Sequence, residues 1–172
     1  QATKLQTIIM TGDRDLMQII NSKIKIFMPK KTLQDVGLYG EEEFALKYGF
    51  APENLIDFKA LAGDQSDGIP GVPGVGEISA TKLVHEFQTI EKIYQNLDKL
   101  PEKLQKTLIN GKESAFLSKK LATIDIDVPI KLDLQACRVH DFEREKVVSL
   151  FEKLEFRSLI ARIPGIELVI AK

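Results

Sequence analysis

The stretch from Leu61 to Leu83, LAGDQSDGIPGVPGVGEISATKL, constrains the fold more than any other part of the chain. It begins with Asp64 and Asp67, which lie three residues apart, so both carboxylates can point the same way in a loop or a first helical turn. A run of glycine and proline follows at 70–76 and predicts a tight hairpin, after which the pattern of a helix begins at Glu77. The sequence therefore predicts an acidic loop joined directly to a hairpin and a helix.

The residue types in this block suit metal and phosphate binding. Carboxylate oxygens are the ligands that Mg²⁺ or Mn²⁺ prefers. Gly71, Gly74 and Gly76 allow backbone N–H groups to approach an anion closely. On its own the acidic pair is also typical of an ordinary turn or helix cap, and the hairpin of a purely structural turn. Taken together, the acidic pair and the hairpin favour cleavage or binding of a nucleic-acid backbone.

A second acidic pair lies near the start of the chain, in TGDRDL at 11–16. The apolar run from Leu5 to Thr11 reads as a buried strand, and its carboxyl end delivers Asp13 and Asp15. Ligands bind at this end of the strands in open α/β sheets, so both residues are candidate metal ligands. The alternative is that one Asp caps the following short helix and the other pairs with a basic side chain. Two acidic pairs fit hydrolysis by two metal ions about 3.5–4 Å apart.

The hairpin predicts contact with the phosphate backbone rather than with bases. We expect the amides of Gly74, Val75 and Gly76 to face one phosphate at the positive end of the following helix. Lys82 lies further along that helix and can add a point charge. Such binding should be independent of DNA sequence and sensitive to salt.

Charge is almost balanced, with 24 Lys and Arg against 25 Asp and Glu, which argues against DNA binding by bulk charge alone. Its distribution is uneven, because residues 99–120 contain six lysines and two acids, Lys119 and Lys120 among the lysines. This basic segment predicts a phosphate-contacting surface, and an ordinary solvated face is the alternative.

Strand and helix patterns alternate in the first part of the chain. Further strands are predicted at 24–28 and 36–39, which favours an α/β layer with a largely parallel sheet. Helices dominate afterwards, and residues 125–134 read as an extended connector. Predicted helices cover 41–48, 52–62, 77–87, 89–96, 101–109, 112–122 and 142–154. We therefore predict an α/β core over 1–62 and an acidic loop with a helical region over 63–172.

Several classes of protein have little support in the sequence. No apolar run approaches the roughly 20 residues of a membrane span, and no secretion signal precedes the first strand. The single Cys137, expected to be partly buried and inert, excludes an internal disulfide framework and favours a reducing compartment. His85 and His140 have no nearby Ser or Cys partner that would indicate a hydrolase triad.

Four motifs, in this order along the chain, resemble one family: TGDRDL at 11–16, KALAGDQSDGIPGVPGVGE at 59–77, LSKKLATIDIDVP at 117–129 and LEFRSL at 154–159. They look like the flap endonuclease-like 5′-nuclease domain of bacterial DNA polymerase I, a cytoplasmic enzyme. The resemblance implies a truncated PIN-like parallel sheet followed by a mainly helical helix-3-turn-helix module, of the helix-hairpin-helix type.

The resemblance also implies a function for named residues. Asp13, Asp15, Asp64 and Asp67 would hold two Mg²⁺ or Mn²⁺ ions for 5′-3′ exonuclease or flap endonuclease chemistry on nicked or 5′-flap duplex DNA in replication and repair. The hairpin would bind DNA and a K⁺ ion. The DNA-binding set is Gly74, Val75, Gly76, Ser79, Lys82, Lys119 and Lys120.

The chain departs from the family pattern in three ways. Gly68 stands where the family commonly has Asn, and Ile78 and Ser79 stand where it commonly has Lys-Thr, so loop order and one phosphate contact are expected to be weaker. The family domain also begins with a further half that carries additional acidic ligands. Two alternatives therefore stay open: a fragment that only binds DNA independently of sequence, and a PIN-like ribonuclease.

Overall fold

The computed structural model describes residues 5–29, 36–139 and 142–164. The chain divides into two compact units, which meet in sequence at Ile126 and Asp127. The first unit contains the sheet and the helices up to residue 122, and the described part of the second contains two further helices. The functional boundary predicted after residue 62 lies within the first unit and stays a prediction.

Among the described residues the sheet has three strands in the order β1-β2-β3: β1 (Thr7–Met10), β2 (Ile24–Pro29) and β3 (Val36–Tyr39). β1 is parallel to β2, whereas β3 is antiparallel to β2, so the prediction of a largely parallel sheet is wrong for one of the two pairings. The reason is the length of the connection. Only residues 30–35 separate β2 from β3, too few for the crossover that a parallel pair requires.

β1 is not the buried strand that its apolar sequence predicts. Ile8 is 61% exposed and Met10 is 75% exposed, and only Ile9 is partly buried. Within the described residues β1 pairs with β2 alone and therefore forms an edge of the sheet. Apolar composition indicated a strand correctly, but burial depends on neighbouring elements that the local sequence does not specify.

The α-helices of the described residues are, in chain order, α1 (Glu41–Tyr48), α2 (Leu55–Ala62), α3 (Glu77–Phe87), α4 (Ile90–Gln95), α5 (Glu102–Asn110), α6 (Lys112–Ala122), α7 (Arg144–Lys153) and α8 (Arg157–Ile160). The first seven begin and end close to the predicted residues, whereas α8 was not predicted from the sequence. The described residues also contain short 3-10 turns at Asp15–Ile19, Pro52–Asn54 and Leu97–Lys99. The first lies where a short helix was expected after β1, and the second falls within the helix predicted at 52–62. No helix among the described residues is long and apolar enough to span a membrane.

The core of the first unit surrounds α2. Ala60 and Leu61 on this helix are fully buried, and α2 packs against both α3 and α6. Phe44 and Tyr48 stack at one side of the core, with ring centroids 4.4 Å apart. Because α2 ends at Ala62, immediately before the acidic loop, the most deeply packed helix of the unit fixes the start of that loop.

The second unit contains α7 and α8, and the ring of Phe151 on α7 meets the ring of Phe156, just before α8, edge to face at 6.1 Å. Residues 127–139 contain no helix or strand. This agrees with the extended connector predicted at 125–134. Cys137 is exposed, so the expectation of a partly buried thiol is wrong. His140 lies outside the described residues.

Candidate metal centre and phosphate-binding hairpin

The acidic loop after α2 is a closed turn held by its own backbone. Asp64 and Ile69 exchange two backbone hydrogen bonds of 2.9 and 2.8 Å, and Ser66 donates both its amide and its hydroxyl to the Asp64 carboxylate. Gly68 has a φ of +69° with open space around it. Gly and Asn adopt this left-handed conformation most readily, so the Gly at this position suits the turn.

Three carboxylates converge at this loop. Oxygen atoms of Asp15, Asp64 and Asp67 all lie within 4.8 Å of one another. Asp15 arrives from the 3-10 turn that follows β1, and the other two come from the loop after α2. The sequence prediction that these two distant segments form one acidic site therefore agrees with their placement in the structure.

A buried lysine lies among the three carboxylates. Lys59, in the last turn of α2, pairs with Asp15 and lies 2.5 Å from Asp64 Oδ2 and 3.8 Å from Asp67 Oδ2 through its Nζ atom. Its side chain is only 8% exposed. The Lys59 ammonium thus lies where a bound cation would contact the carboxylates. The three carboxylates therefore form a set of donors that suits a positive ion.

The electrostatics of the cluster follow from this arrangement. Burial acts to raise the pKa of Asp64, but hydrogen bonds from Lys59 and Ser66 outweigh it and lower that pKa to about 2. Burial acts to lower the pKa of Lys59, and its bonds to Asp15 and Asp64 outweigh that effect and raise it. Partial desolvation and the charges of Asp15 and Asp64 raise the pKa of Asp67.

Asp13 does not join the three converging carboxylates. Its Oδ1 accepts the backbone amide of Asp15 at 2.9 Å, and its own amide donates to Thr11 Oγ1 at 3.0 Å. This contact closes a local turn, and no side chain caps the 3-10 turn that follows it. The role of Asp13 as a metal ligand stays a prediction.

The hairpin is anchored to α6 through both polar groups of Gly71. The Gly71 amide donates to the buried hydroxyl oxygen of Ser118 at 3.0 Å, and Ser114 donates to the Gly71 carbonyl at 2.6 Å. Gly71 has a φ of +63°, and a Cβ there would lie 2.3 Å from the amide nitrogen of Gly63. Glycine is therefore required at this position by both backbone conformation and space.

The backbone amides at the tip of the hairpin differ in whether they donate a hydrogen bond within the described residues. Val75 is buried and its amide donates to the Val72 carbonyl at 2.9 Å, so this N–H is engaged within the turn. Gly74 and Gly76 are exposed, and their amides have no hydrogen-bond partner among the described residues. Ser79 and Lys82 follow on the first turns of α3, partly buried and exposed respectively.

The two lysines near the end of α6 have different surroundings. Lys119 Nζ lies 2.7 Å from Asp57 Oδ1 and 2.8 Å from Glu91 Oε2, which links α6 to α2 and α4. Lys120 is exposed. Burial raises the pKa of Asp57 despite hydrogen bonds from Lys119 and from the amide of Ile90. Contact of either lysine with DNA stays a prediction.

Sequence reasoning missed three residues that contact the acidic cluster or the hairpin: Lys59, Ser114 and Ser118. Lys59 belongs to the quoted KALAGD motif, yet its spacing five residues before Asp64 carries no recognised signal. Ser114 and Ser118 lie one helical turn apart, a pattern that would have suggested a shared face but not its partner. His85 is exposed on α3.

A family of known proteins matches more than half of the chain. Residues 50–145 match the family described as 5′-3′ exonuclease, C-terminal SAM fold. The DNA polymerase I of Caldicellulosiruptor bescii is 44% identical over 171 residues, which cover 97% of this chain and 20% of that protein. The chain thus spans about one fifth of the length of this curated relative.

Solved structures show the same fold at low sequence identity. T5 5′-exonuclease with bound zinc superposes with a TM-score of 0.58 and 23% identity, over 68% of this chain and 42% of that one. The catalytic core of Rad2 in complex with a DNA substrate superposes with a TM-score of 0.60 and 18% identity, over 92% of this chain and 56% of that one. The predicted α/β arrangement with a mainly helical second part is therefore confirmed as the fold of these nucleases. The chain belongs to the 5′-3′ exonuclease family, whose C-terminal SAM fold it carries at residues 50–145.

Proposed function

We propose that this chain supplies part of a divalent-metal-dependent 5′-3′ exonuclease or flap endonuclease that acts on DNA within a bacterial DNA polymerase I. The observation that carries the proposal is the convergence of Asp15, Asp64 and Asp67 beside a hairpin with exposed amides. The family match and the zinc-bound T5 relative support the use of divalent ions. Mg²⁺ or Mn²⁺ is proposed because carboxylate-only donor sets suit these ions.

The carboxylates would hold the ion, and the rest of the loop would fix their geometry. Bound divalent ions supply an activated water molecule and stabilise the leaving oxygen of a phosphodiester. Asp64 is oriented by the Ser66 hydroxyl and amide, which bind its Oδ1, so its Oδ2 faces the cluster and Lys59. Asp13 would add a further ligand if its carboxylate left the turn that it now closes.

The hairpin would hold the DNA backbone close to this cluster. Backbone hydrogen bonds join the two parts directly, since the Val72 amide donates to the Leu61 carbonyl at 2.8 Å, just before the acidic loop. We propose that the amides of Gly74 and Gly76 contact one phosphate and that Lys82 adds a charge on the same helix. A bound K⁺ at the hairpin, and Ser79, Lys119 and Lys120 as further DNA contacts, belong to the same proposal.

Membership of the family supports a proposal for the substrate and the location. We propose nicked or 5′-flap duplex DNA as the substrate during replication and repair, in the bacterial cytoplasm. Phosphate contacts predominate in this arrangement, so affinity should fall steeply with salt and vary little with base sequence.

Cleavage of a 5′-labelled flap duplex in the presence of Mg²⁺ tests the proposal. The chain and the full-length polymerase that contains it are assayed together, with Asp64→Asn as the test variant. Asp98→Asn is the matched control, because Asp98 is an exposed carboxylate outside the cluster. We expect EDTA and Asp64→Asn to abolish cleavage by the full-length protein, and Asp98→Asn to leave it unchanged. Equal cleavage by Asp64→Asn and the parent would refute the metal assignment.

A second candidate is a DNA-binding module without activity of its own. Asp13 lies outside the converging carboxylates, so the described residues assemble three of the four predicted ligands. In this case the isolated chain would shift flap duplex in a gel, Mg²⁺ would produce no cleavage, and the full-length polymerase would still cut.

A further inference from the structure

Lys59 places a permanent positive charge where the proposed function requires a divalent ion. Its Nζ pairs with Asp15 and lies 2.5 Å from Asp64 Oδ2 and 3.8 Å from Asp67 Oδ2. A lysine at an exposed surface would be free to swing into solvent, but this side chain is 8% exposed and extends from the most buried helix of the unit. The ammonium is therefore held in the cluster by packing as well as by charge.

This arrangement has two opposing effects on the carboxylates. Three negative groups within 4.8 Å of one another repel, and one ammonium among them offsets part of that repulsion. The same ammonium uses lone pairs on Asp15 and Asp64 that an incoming ion needs as ligands. One positive charge neutralises only one of the three negative charges, so the cluster keeps an attraction for a divalent cation.

We propose that Lys59 is a built-in counter-ion: it keeps Asp15, Asp64 and Asp67 together without metal and competes with divalent ions for their oxygens. Lys59 is a positioning residue in this role, and it sets the metal concentration at which the site fills. The inference rests on the proposed metal-binding function of the same cluster.

Mn²⁺ affinity tests the competition without any activity assay. Binding of Mn²⁺ to the chain is measured by the loss of the free-ion signal in electron paramagnetic resonance, for the parent, Lys59→Met, Lys59→Arg and Lys103→Met. Met preserves the length of the side chain without its charge, and Arg preserves the charge. Lys103→Met removes the same charge from an exposed position on α5.

We expect Lys59→Met to bind Mn²⁺ at least about tenfold more tightly than the parent, because a cation within the ligand set has been removed. Lys59→Met should also melt at a lower temperature without metal and gain more from added Mn²⁺. Lys59→Arg and Lys103→Met should bind within about twofold of the parent. Equal or weaker Mn²⁺ binding by Lys59→Met overturns the proposal.

Two further outcomes are informative. If neither the parent nor Lys59→Met binds Mn²⁺ in a manner sensitive to Asp64→Asn, the metal-binding function fails together with this inference. If Lys59→Met does not fold, the unaltered chain labelled with ¹⁵N-lysine decides: Mg²⁺ should shift the Lys59 ammonium resonance, assigned from its loss in Lys59→Arg. An unchanged resonance in the presence of bound metal overturns the competition.

Discussion

Replacing Lys119 by Met is expected to destabilise the first unit because it leaves a buried carboxylate without its positively charged partner. Asp57 is 2% exposed at its side chain, and its Oδ1 accepts from Lys119 Nζ at 2.7 Å and from the Ile90 amide at 2.8 Å. Without Lys119 the ionised group would keep one neutral donor and lose its nearest opposite charge. The variant therefore removes one partner of a buried ion pair while preserving the volume of the side chain.

The size of the effect follows from burial at each end of the pair. Removing one partner of a buried ion pair costs about 3–5 kcal/mol. The Lys119 side chain is 21% exposed, and its second partner Glu91 is 46% exposed, so solvent screens part of the interaction. We therefore expect a loss of about 3 kcal/mol, the lower end of that range. This is a large share of the roughly 5–15 kcal/mol that stabilises a typical domain.

Urea unfolding followed by circular dichroism measures this loss directly. Lys120→Met is the matched control, because Lys120 is the adjacent, exposed lysine on the same helix, and its replacement should change the unfolding free energy by less than about 0.5 kcal/mol. Adding Asp57→Asn to Lys119→Met should restore stability, since Asn can still accept the Ile90 amide without carrying a charge. Equal stability of Lys119→Met and Lys120→Met, with unchanged dependence on urea, would refute the reasoning.

Three other predictions concern the hairpin, a buried tyrosine and DNA affinity. Gly71→Ala should prevent stable folding, because its Cβ would lie 2.3 Å from a backbone nitrogen. Gly68 has a similar φ but open space around it, so Gly68→Ala should lower the free energy of unfolding by only about 1 kcal/mol. Thermal unfolding measures both variants. Burial raises the pKa of Tyr94 to about 12, so the stability that this neutral phenol contributes is complete below pH about 10 and is lost as the pH rises towards 12. Tyr94→Phe should therefore lose less stability than the parent over that interval, and parallel pH profiles would contradict the assignment. Lys82→Met should weaken binding of all duplexes alike, as measured by fluorescence anisotropy. The salt dependence of the affinity should fall by the equivalent of about one phosphate contact. A loss of affinity confined to one DNA sequence would exclude backbone binding.

Much of the local structure could be predicted because short-range rules determine it. α1, α3 and α6 begin and end at the predicted residues, since Gly40, Gly76 and Gly111 precede regular helical patterns. The acidic loop and hairpin were equally predictable. Their glycines and prolines restrict the backbone to a few turn conformations whatever the rest of the fold does.

Features that depend on distant contacts could not be predicted in the same way. The exposure of β1 depends on which strands lie beside it, and the pairing of Lys119 with Asp57 joins residues 62 positions apart in sequence. A lysine in a basic segment reads as a solvated or DNA-binding residue until the fold shows a buried acid opposite it. Lys59 was missed for the same reason, because only the fold brings Asp15 to the end of α2.

The position of a bound ion tests the central claim most directly. Crystals of the chain grown with Mn²⁺ are measured at an X-ray energy at which manganese scatters anomalously. The account predicts an anomalous peak about 2 Å from oxygens of Asp15, Asp64 and Asp67, with Lys59 Nζ displaced from that position. Complete absence of a peak at this cluster in crystals that bind Mn²⁺ elsewhere would contradict it.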